Sequence, residues 1–197
     1  MIKMAFLASN NGSSMRAILL AIEAGRLDAH PVLAVSNRKA APALEFASAR
    51  GTPTLVIPTA ADPEVADRRL ADALKEAGAE LVILSGYLRK LGPATLSAFA
   101  GRILNIHPAL LPKFGGAGMY GQRVHEAVIA AGETASGASV HLVDGEYDHG
   151  AVLARVEVPV FITDTSESLE ARVMAAEPAL FVETLQRIVR GELTLPA

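Results

Sequence analysis

Five short apolar runs, separated by segments with helical spacing, constrain the fold of this chain more than any other feature. They lie at residues 4–8, 32–35, 54–57, 81–84 and 103–106. Short apolar runs bounded by turn residues are typical of strands that are buried on both faces. Because strands that alternate with helices are joined by right-handed crossovers, the pattern predicts an α/β fold with a doubly wound, mostly parallel sheet and helices on both faces.

The helical segments place apolar residues on one face at spacings of three and four. The clearest are residues 15–22, 63–77 and 124–131. In a last helix, Asp164 and Glu167 resemble a capping pair at the start, and Gly191 is a suitable residue to end it. These segments supply the helices that the alternating fold requires.

The pattern changes after Pro112. A glycine-rich segment at residues 115–121 is followed by strand-like runs at 138–143 and 152–158, which a short polar turn joins. Two strands joined by such a turn predict an antiparallel addition to the sheet. At 197 residues with no internal repeat, the whole chain, residues 1–197, is expected to form a single domain.

Composition excludes several classes of function. The chain has no cysteine, and so no disulfide, thiolate nucleophile or cysteine metal site. A formal net charge of -3 does not favour nucleic acid as a partner. No apolar run approaches the roughly 18 residues of a membrane span, and the start of the chain does not resemble a signal peptide, so we predict a cytoplasmic protein without a membrane partner.

The polar turns that follow three of the strands are expected to meet at one edge of the sheet. They are residues 9–14, residues 85–88 and His107. Ligands of open parallel sheets bind beyond the carboxyl ends of the strands. The turn at 9–14 has two interpretations: an anion site at a helix N-terminus, or a tight turn in which Ser13 or Ser14 caps the helix.

Asn105, His107 and Asp148 are the candidate reactive groups. Strand alternation places Asn105 and His107 on one face, with Ile106 opposite. An amide donor, an imidazole and a carboxylate are the groups that acyl transfer uses, and a carboxylate near the ring is expected to keep it charged around neutral pH. Asp148 contributes only if the fold returns it to His107. The acidic residues and histidines near it match no known metal-ligand spacing, so no metal is predicted.

These motifs resemble those of the folate-dependent formyltransferases. The resemblance rests on Asn105-Ile106-His107-Pro108, on Leu110-Leu111-Pro112, and on Asp148 placed before Gly150. The early Asn11-Gly12-Ser13 turn and the chain length resemble the members that act on glycinamide ribonucleotide in purine biosynthesis. The resemblance implies an enzyme that transfers the formyl group of its cosubstrate, N10-formyltetrahydrofolate, to the amine of that ribonucleotide, without a metal.

The resemblance also implies roles for individual residues. His107 would be the acid that stabilises the oxyanion, Asn105 a second donor to it, and Asp148 the group that orients the imidazole and assists proton removal. The substrate phosphate and ribose would be bound by Gly12, Ser13, Ser14 and Glu177. The folate would be bound by Leu88, Arg89, Lys90, Leu91, Asn105, Asp144, Gly145, Glu146, Tyr147 and Asp148.

Several alternatives stay open. Ser14 stands where the family usually has asparagine. Another amine, such as an amino-sugar nucleotide, is therefore an alternative acceptor. A non-catalytic nucleotide- or folate-binding module of the same fold is a third interpretation. Residues 113–121 are either a mobile cover over a cleft or a solvated connector. Monomer and homodimer are both compatible with the sequence.

Overall fold

The computed structural model describes residues 1–196 and contains seven strands and six helices in that range. The strands are β1 (Ile2–Leu7), β2 (Ala29–Ser36), β3 (Thr54–Val56), β4 (Leu81–Leu84), β5 (Ile103–His107), β6 (Ala135–Leu142) and β7 (Val152–Pro159). The helices are α1 (Ser13–Glu23), α2 (Pro42–Ser48), α3 (Pro63–Glu76), α4 (Pro93–Ala98), α5 (Gln122–Ala130) and α6 (Ser166–Val189). Two of these helices, α2 and α4, were not predicted.

The strands form one sheet in the order β3-β2-β1-β4-β5-β6-β7. All pairs from β3 to β5 are parallel, while β5 with β6 and β6 with β7 are antiparallel. The predicted mostly parallel sheet with an antiparallel addition is confirmed. The chain order reverses at the junction of β1 and β4, which is where an open parallel sheet forms a crevice for ligands.

Alternate residues of β1 pack into two different apolar clusters. Met4 and Phe6 belong to the cluster that includes residues of α1 and α6. Ala5 and Leu7 belong to the cluster that includes residues of α3 and α4. Because successive side chains of a strand point to opposite faces, the sheet has helices on both sides, as predicted.

The start of α6 differs from the prediction. Thr165, and not Asp164, caps the helix: its hydroxyl accepts from the Ser168 amide at 3.3 Å, and the Thr165 amide donates to the Ser168 hydroxyl at 3.0 Å. The predicted pair of Asp164 and Glu167 is therefore wrong, because serine fills the position where a capping box usually has a glutamate or glutamine. Asp164 instead receives both terminal nitrogens of Arg172, at 2.7 and 2.9 Å.

Candidate active site

Hydrogen bonds tie together the turns that follow β1 and β4. The Ser9 amide donates to the Gly86 carbonyl at 3.1 Å, and the Leu88 amide donates to the Ser9 hydroxyl at 2.8 Å. One turn further on, the Met15 amide donates to the Ser85 hydroxyl at 2.9 Å. The structure therefore brings residues 9–14 and 85–88 to one edge, beside the end of β5.

A cleft of about 550 Å³ opens at this edge. Its walls come from residues 86–89, 105–108 and 147–148, together with glycines of the segment between Gly116 and Gly121. Asn105 and His107 both line it. The glycine-rich segment thus forms one wall of the cleft that contains the candidate reactive groups.

Asp148 returns across this cleft to His107. Its Oδ2 lies 3.3 Å from His107 Nδ1, and the two side chains are only 10% and 5% exposed. The Gly116 amide donates to the same oxygen at 3.0 Å. Asp148, in the turn between β6 and β7, and His107, at the end of β5, therefore form a buried contact between a carboxylate and an imidazole.

His141, to which the sequence gave no role in the reaction, joins this cluster. It lies opposite Asn105 in the antiparallel register of β5 and β6. Its Nε2 is 3.2 Å from Asn105 Nδ2 and 3.5 Å from Asp148 Oδ1, and its Nδ1 is 2.8 Å from the Leu142 carbonyl. The ring therefore lies between the Leu142 carbonyl on one side and the Asn105 amide and the Asp148 carboxylate on the other, which restricts the orientation of the Asn105 side chain.

Both ring nitrogens of His107 face acceptors. Nε2 is 2.8 Å from the Phe114 carbonyl, and Nδ1 faces Asp148. Only the protonated ring can donate to both. Burial opposes that charge and, outweighing Asp148 and the Phe114 carbonyl, lowers the pKa of His107 below its ordinary value. The expectation that the carboxylate keeps the ring charged around neutral pH is wrong, because desolvation is the larger effect.

Asp148 behaves in the opposite way. Burial alone would raise the pKa of Asp148, but the hydrogen bonds and charges of His141, His107 and Gly116 together outweigh it and lower that pKa. The carboxylate is therefore ionised at neutral pH, while the imidazole beside it is mainly neutral.

The two groups that contact His107 both have unusual backbone conformations. Phe114 has φ 56° and Asp148 has φ 55°, and they are the two non-glycine residues with positive φ among residues 1–196. Left-handed backbone is unfavourable for a side chain as large as phenylalanine. Strain of this kind is concentrated at functional sites.

A second cavity adjoins the cleft on the side predicted for folate. Its lining includes Leu84, Tyr87, Arg89, Lys90, Leu91, Asn105, His141, Val143, Asp144, Glu146, Tyr147 and Asp148. Leu88 lines the main cleft instead. Gly145, which the structure describes, is exposed and lines neither cavity. Three aliphatic side chains and two tyrosines give this cavity an apolar part, and the other seven lining side chains are polar or charged.

The residues predicted for the ribonucleotide lie outside these two cavities. Gly12 has φ 65° and is the N-cap residue of α1, where it offers no side chain to the first amides of the helix; the Ser85 hydroxyl accepts from one of them, that of Met15, at 2.9 Å. Ser13 is exposed, whereas Ser14 is 2% exposed. Glu177 is partly buried on α6, and burial, followed by the charge of Glu170, raises its pKa to about 7.

Within residues 1–196, no group of three or more histidine, aspartate or glutamate residues could hold a metal ion. Across the same range, no helix is long and apolar enough to cross a membrane.

Comparison with known proteins gives consistent matches. A family model described as formyl transferase matches residues 2–185. The chain is 41% identical over 189 residues to the chloroplastic phosphoribosylglycinamide formyltransferase of Arabidopsis thaliana, and it spans 65% of that protein's length. It is 35% identical to the phosphoribosylglycinamide formyltransferase of Escherichia coli, covering 96% of this chain and 88% of the relative. The fold is similar to that of glycinamide ribonucleotide transformylase 1 from Symbiobacterium toebii, with a TM-score of 0.90 at 32% identity, covering 100% of this chain and 92% of the other.

Proposed function

Because this chain belongs to the formyl transferase family, we propose that it transfers the formyl group of N10-formyltetrahydrofolate to the amine of glycinamide ribonucleotide. Relatives from a plant and a bacterium carry this activity in their names. The observation that carries the proposal is the buried contact of His107 with Asp148 at the wall of a cleft, beside the amide of Asn105. The same relatives favour this acceptor over an amino-sugar nucleotide.

The second cavity, of about 100 Å³, and the cleft that it adjoins together form the site proposed for a reduced folate. Tyr87, Leu91 and Val143 offer apolar surface to a pterin, and Asp144 offers polar groups to its ring nitrogens. When bound, this cosubstrate supplies an activated formyl group. Lys90, whose Nζ lies 5.3 Å from the centre of the Tyr147 ring, adds a positive charge at the rim for an anionic tail.

Asn105 and His107 stabilise the negative charge that develops on the formyl oxygen. The contact of its amide nitrogen with His141 Nε2 at 3.2 Å restricts the rotation of the Asn105 side chain. A lowered pKa makes the protonated form of His107 a stronger acid, and so a better proton donor. The Phe114 carbonyl occupies His107 Nε2, so substrate binding must move that carbonyl aside before the ring can donate to the substrate.

Asp148 orients His107 and offsets its charge when the ring is protonated. The lowered pKa of Asp148 makes it a weak base. We therefore assign it mainly to orientation and electrostatic stabilisation. The attacking amine loses a proton through water, and N10 of the tetrahydrofolate gains one as its bond to the formyl carbon breaks. No covalent intermediate with the enzyme is needed, since positioning two bound substrates supplies much of the rate enhancement.

The ribonucleotide phosphate binds at the N-terminus of α1. Amides at the start of a helix favour an anion, and Gly12, with φ 65°, allows the turn that exposes the first residues of α1. Because the Ser14 side chain is buried, the exposed Ser13 hydroxyl and the backbone amides are the donors. Glu177 holds the ribose hydroxyls, and a carboxyl with a pKa of about 7 can accept or donate there.

The test measures whether loss of formyl from the folate depends on the acceptor. Purified protein is incubated with N10-formyltetrahydrofolate, with and without glycinamide ribonucleotide, and the formation of tetrahydrofolate is followed. Release only with the ribonucleotide supports the proposal. Release without any acceptor would make the protein a hydrolase, and binding without release would make it a non-catalytic module. A cytoplasmic location stays a prediction, since the Arabidopsis relative is named chloroplastic.

A further inference from the structure

Two arginines contact the turn that precedes α1. Arg16 Nε donates to the Asn11 carbonyl at 2.8 Å, and Arg16 Nη2 donates to the Pro42 carbonyl at 3.2 Å. Arg38, which follows β2, donates through Nη1 to the side-chain oxygen of Asn10. The turn to which the proposed function assigns the substrate phosphate is therefore bonded to a guanidinium at two neighbouring residues.

Neither guanidinium is paired with a carboxylate of the chain. Within residues 1–196, Arg16 and Arg38 form no salt bridge, and the first turn of α1 contains no acidic residue. Arg50 differs from them, because its Nε lies 3.0 Å from a carboxylate oxygen of Glu23. The two arginines at the turn therefore carry positive charges that no carboxylate at salt-bridge distance neutralises.

Arg16 is held in one position by the chain itself. It is partly buried, both of its hydrogen bonds go to backbone carbonyls, and its guanidinium carbon lies 4.4 Å from the centre of the Phe46 ring. Fixing a free arginine side chain costs conformational entropy. Because Arg16 is already fixed, its charge can act on an anion at the turn without that cost.

The start of α1 alone does not balance the charge of a phosphate. A helix N-terminus carries roughly half a positive charge, whereas a phosphate monoester at neutral pH carries a charge of about -1.5 to -2. Gly12 offers no side chain and Ser14 is only 2% exposed, which leaves the exposed Ser13 hydroxyl as a donor. A tight phosphate site at this turn therefore needs positive charge from outside the helix backbone.

We propose that Arg16 and Arg38 provide this charge and thereby select an acceptor that carries a phosphate. The inference rests on the proposed function, which assigns the phosphate to the N-terminus of α1. Opposite charges attract even near the protein surface, and more strongly where one of them is partly buried. Neither arginine lines the cleft that contains His107, so their effect falls on binding of the ribonucleotide and not on the chemical step.

The experiment compares glycinamide ribonucleotide with its dephosphorylated nucleoside as acceptors, at low salt. Arg16→Gln and Arg38→Gln should each raise KM for the ribonucleotide by about threefold to about tenfold, and the double variant by about tenfold to about a hundredfold. Turnover at saturation, KM for the formyl folate and kcat/KM for the nucleoside should not change. The preference for the phosphorylated acceptor, measured as the ratio of the two kcat/KM values, should therefore fall as KM for the ribonucleotide rises.

Two further variants separate the charge from other roles. Arg50→Gln is the matched control, because the Arg50 guanidinium carbon lies 3.6 Å from the centre of the same Phe46 ring but Arg50 is paired with Glu23. It should leave the kinetics with both acceptors unchanged. In Arg16→Lys the charge is kept, but an ammonium cannot reproduce the planar geometry of the two guanidinium hydrogen bonds. This variant should keep most of the preference for the ribonucleotide.

Equal losses with both acceptors would overturn the proposal, because the arginines would then only support the turn. An Arg16→Lys protein with no more preference than Arg16→Gln would overturn it as well. If the wild-type protein shows no acceptor-dependent turnover, the proposed function fails, and calorimetric binding of ribose 5-phosphate then tests the arginines alone. Weaker binding by the two glutamine variants than by Arg50→Gln would support the inference. Equal binding by all three, or no binding by the wild type, would contradict it.

Discussion

The groups around His107 are held in two different ways. Asn105, His107 and His141 lie on the paired strands β5 and β6, where the register determines which side chains meet. Asp148 and Phe114 lie in connections, both with left-handed backbone, and they reach His107 only because the chain turns back. The comparison separates a rigid half, which orients donors, from a strained half, which controls the charge and the availability of the imidazole.

The largest expected effect comes from the rigid half. His107→Ala removes the proposed acid, and we expect turnover to fall by about a hundredfold to about a thousandfold, as for loss of one donor to a developing oxyanion. The measurement is kcat for acceptor-dependent deformylation. His30→Ala is the matched control, because His30 is exposed on β2 and lines neither cavity. Equal turnover in both variants would remove the role assigned to His107.

The strained half is tested by Asp148→Asn. This change keeps the size of the side chain but removes the charge that offsets the protonated ring, so we expect kcat to fall by about a hundredfold. Asp72→Asn, an exposed residue of α3, is the control. If kcat fell no further in Asp148→Asn than in Asp72→Asn, the charge at Asp148 would have no part in the reaction.

His141→Gln tests whether the reaction depends on the orientation of the Asn105 amide in the rigid half. Glutamine cannot reproduce the ring contacts with both Leu142 and Asn105, so the Asn105 amide should rotate more freely. We expect a decrease in kcat of about tenfold, smaller than that for His107→Ala. A decrease as large as that for His107→Ala would give His141 a direct chemical role instead.

The same division separates the features that the sequence predicts from those that it does not. The strands, their mostly parallel arrangement and the pairing of Asn105 with His107 follow from period-two alternation, which is a local property. The position of His141 could have been found from the antiparallel register, had that register been assigned. The pKa of His107 could not be predicted, because it depends on how completely the ring is desolvated, and that is set by residues from distant parts of the chain.

The smallest expected effect concerns stability and pH at Glu177. Its pKa is about 7 in the folded protein against an ordinary value of 4.5, so the folded state holds the proton more tightly. Stability from this group is complete below about pH 4.5 and is lost as pH rises through about 7. Glu177→Gln should therefore be more stable than the wild type by about 1 kcal/mol at pH 8, with allowance for partial exposure, and equal to it at pH 4. Urea unfolding at the two pH values measures this, and an equal difference at both would contradict the raised pKa.

The most direct test is an NMR titration of the His107 ring nitrogens in the wild type and in Asp148→Asn. The contact between the two halves predicts a pKa for His107 below about 6.5 in the wild type and lower still in the variant, because the carboxylate opposes the effect of burial. A pKa at or above 6.5, or one that does not change when Asp148 loses its charge, would contradict the proposed coupling of His107 to Asp148.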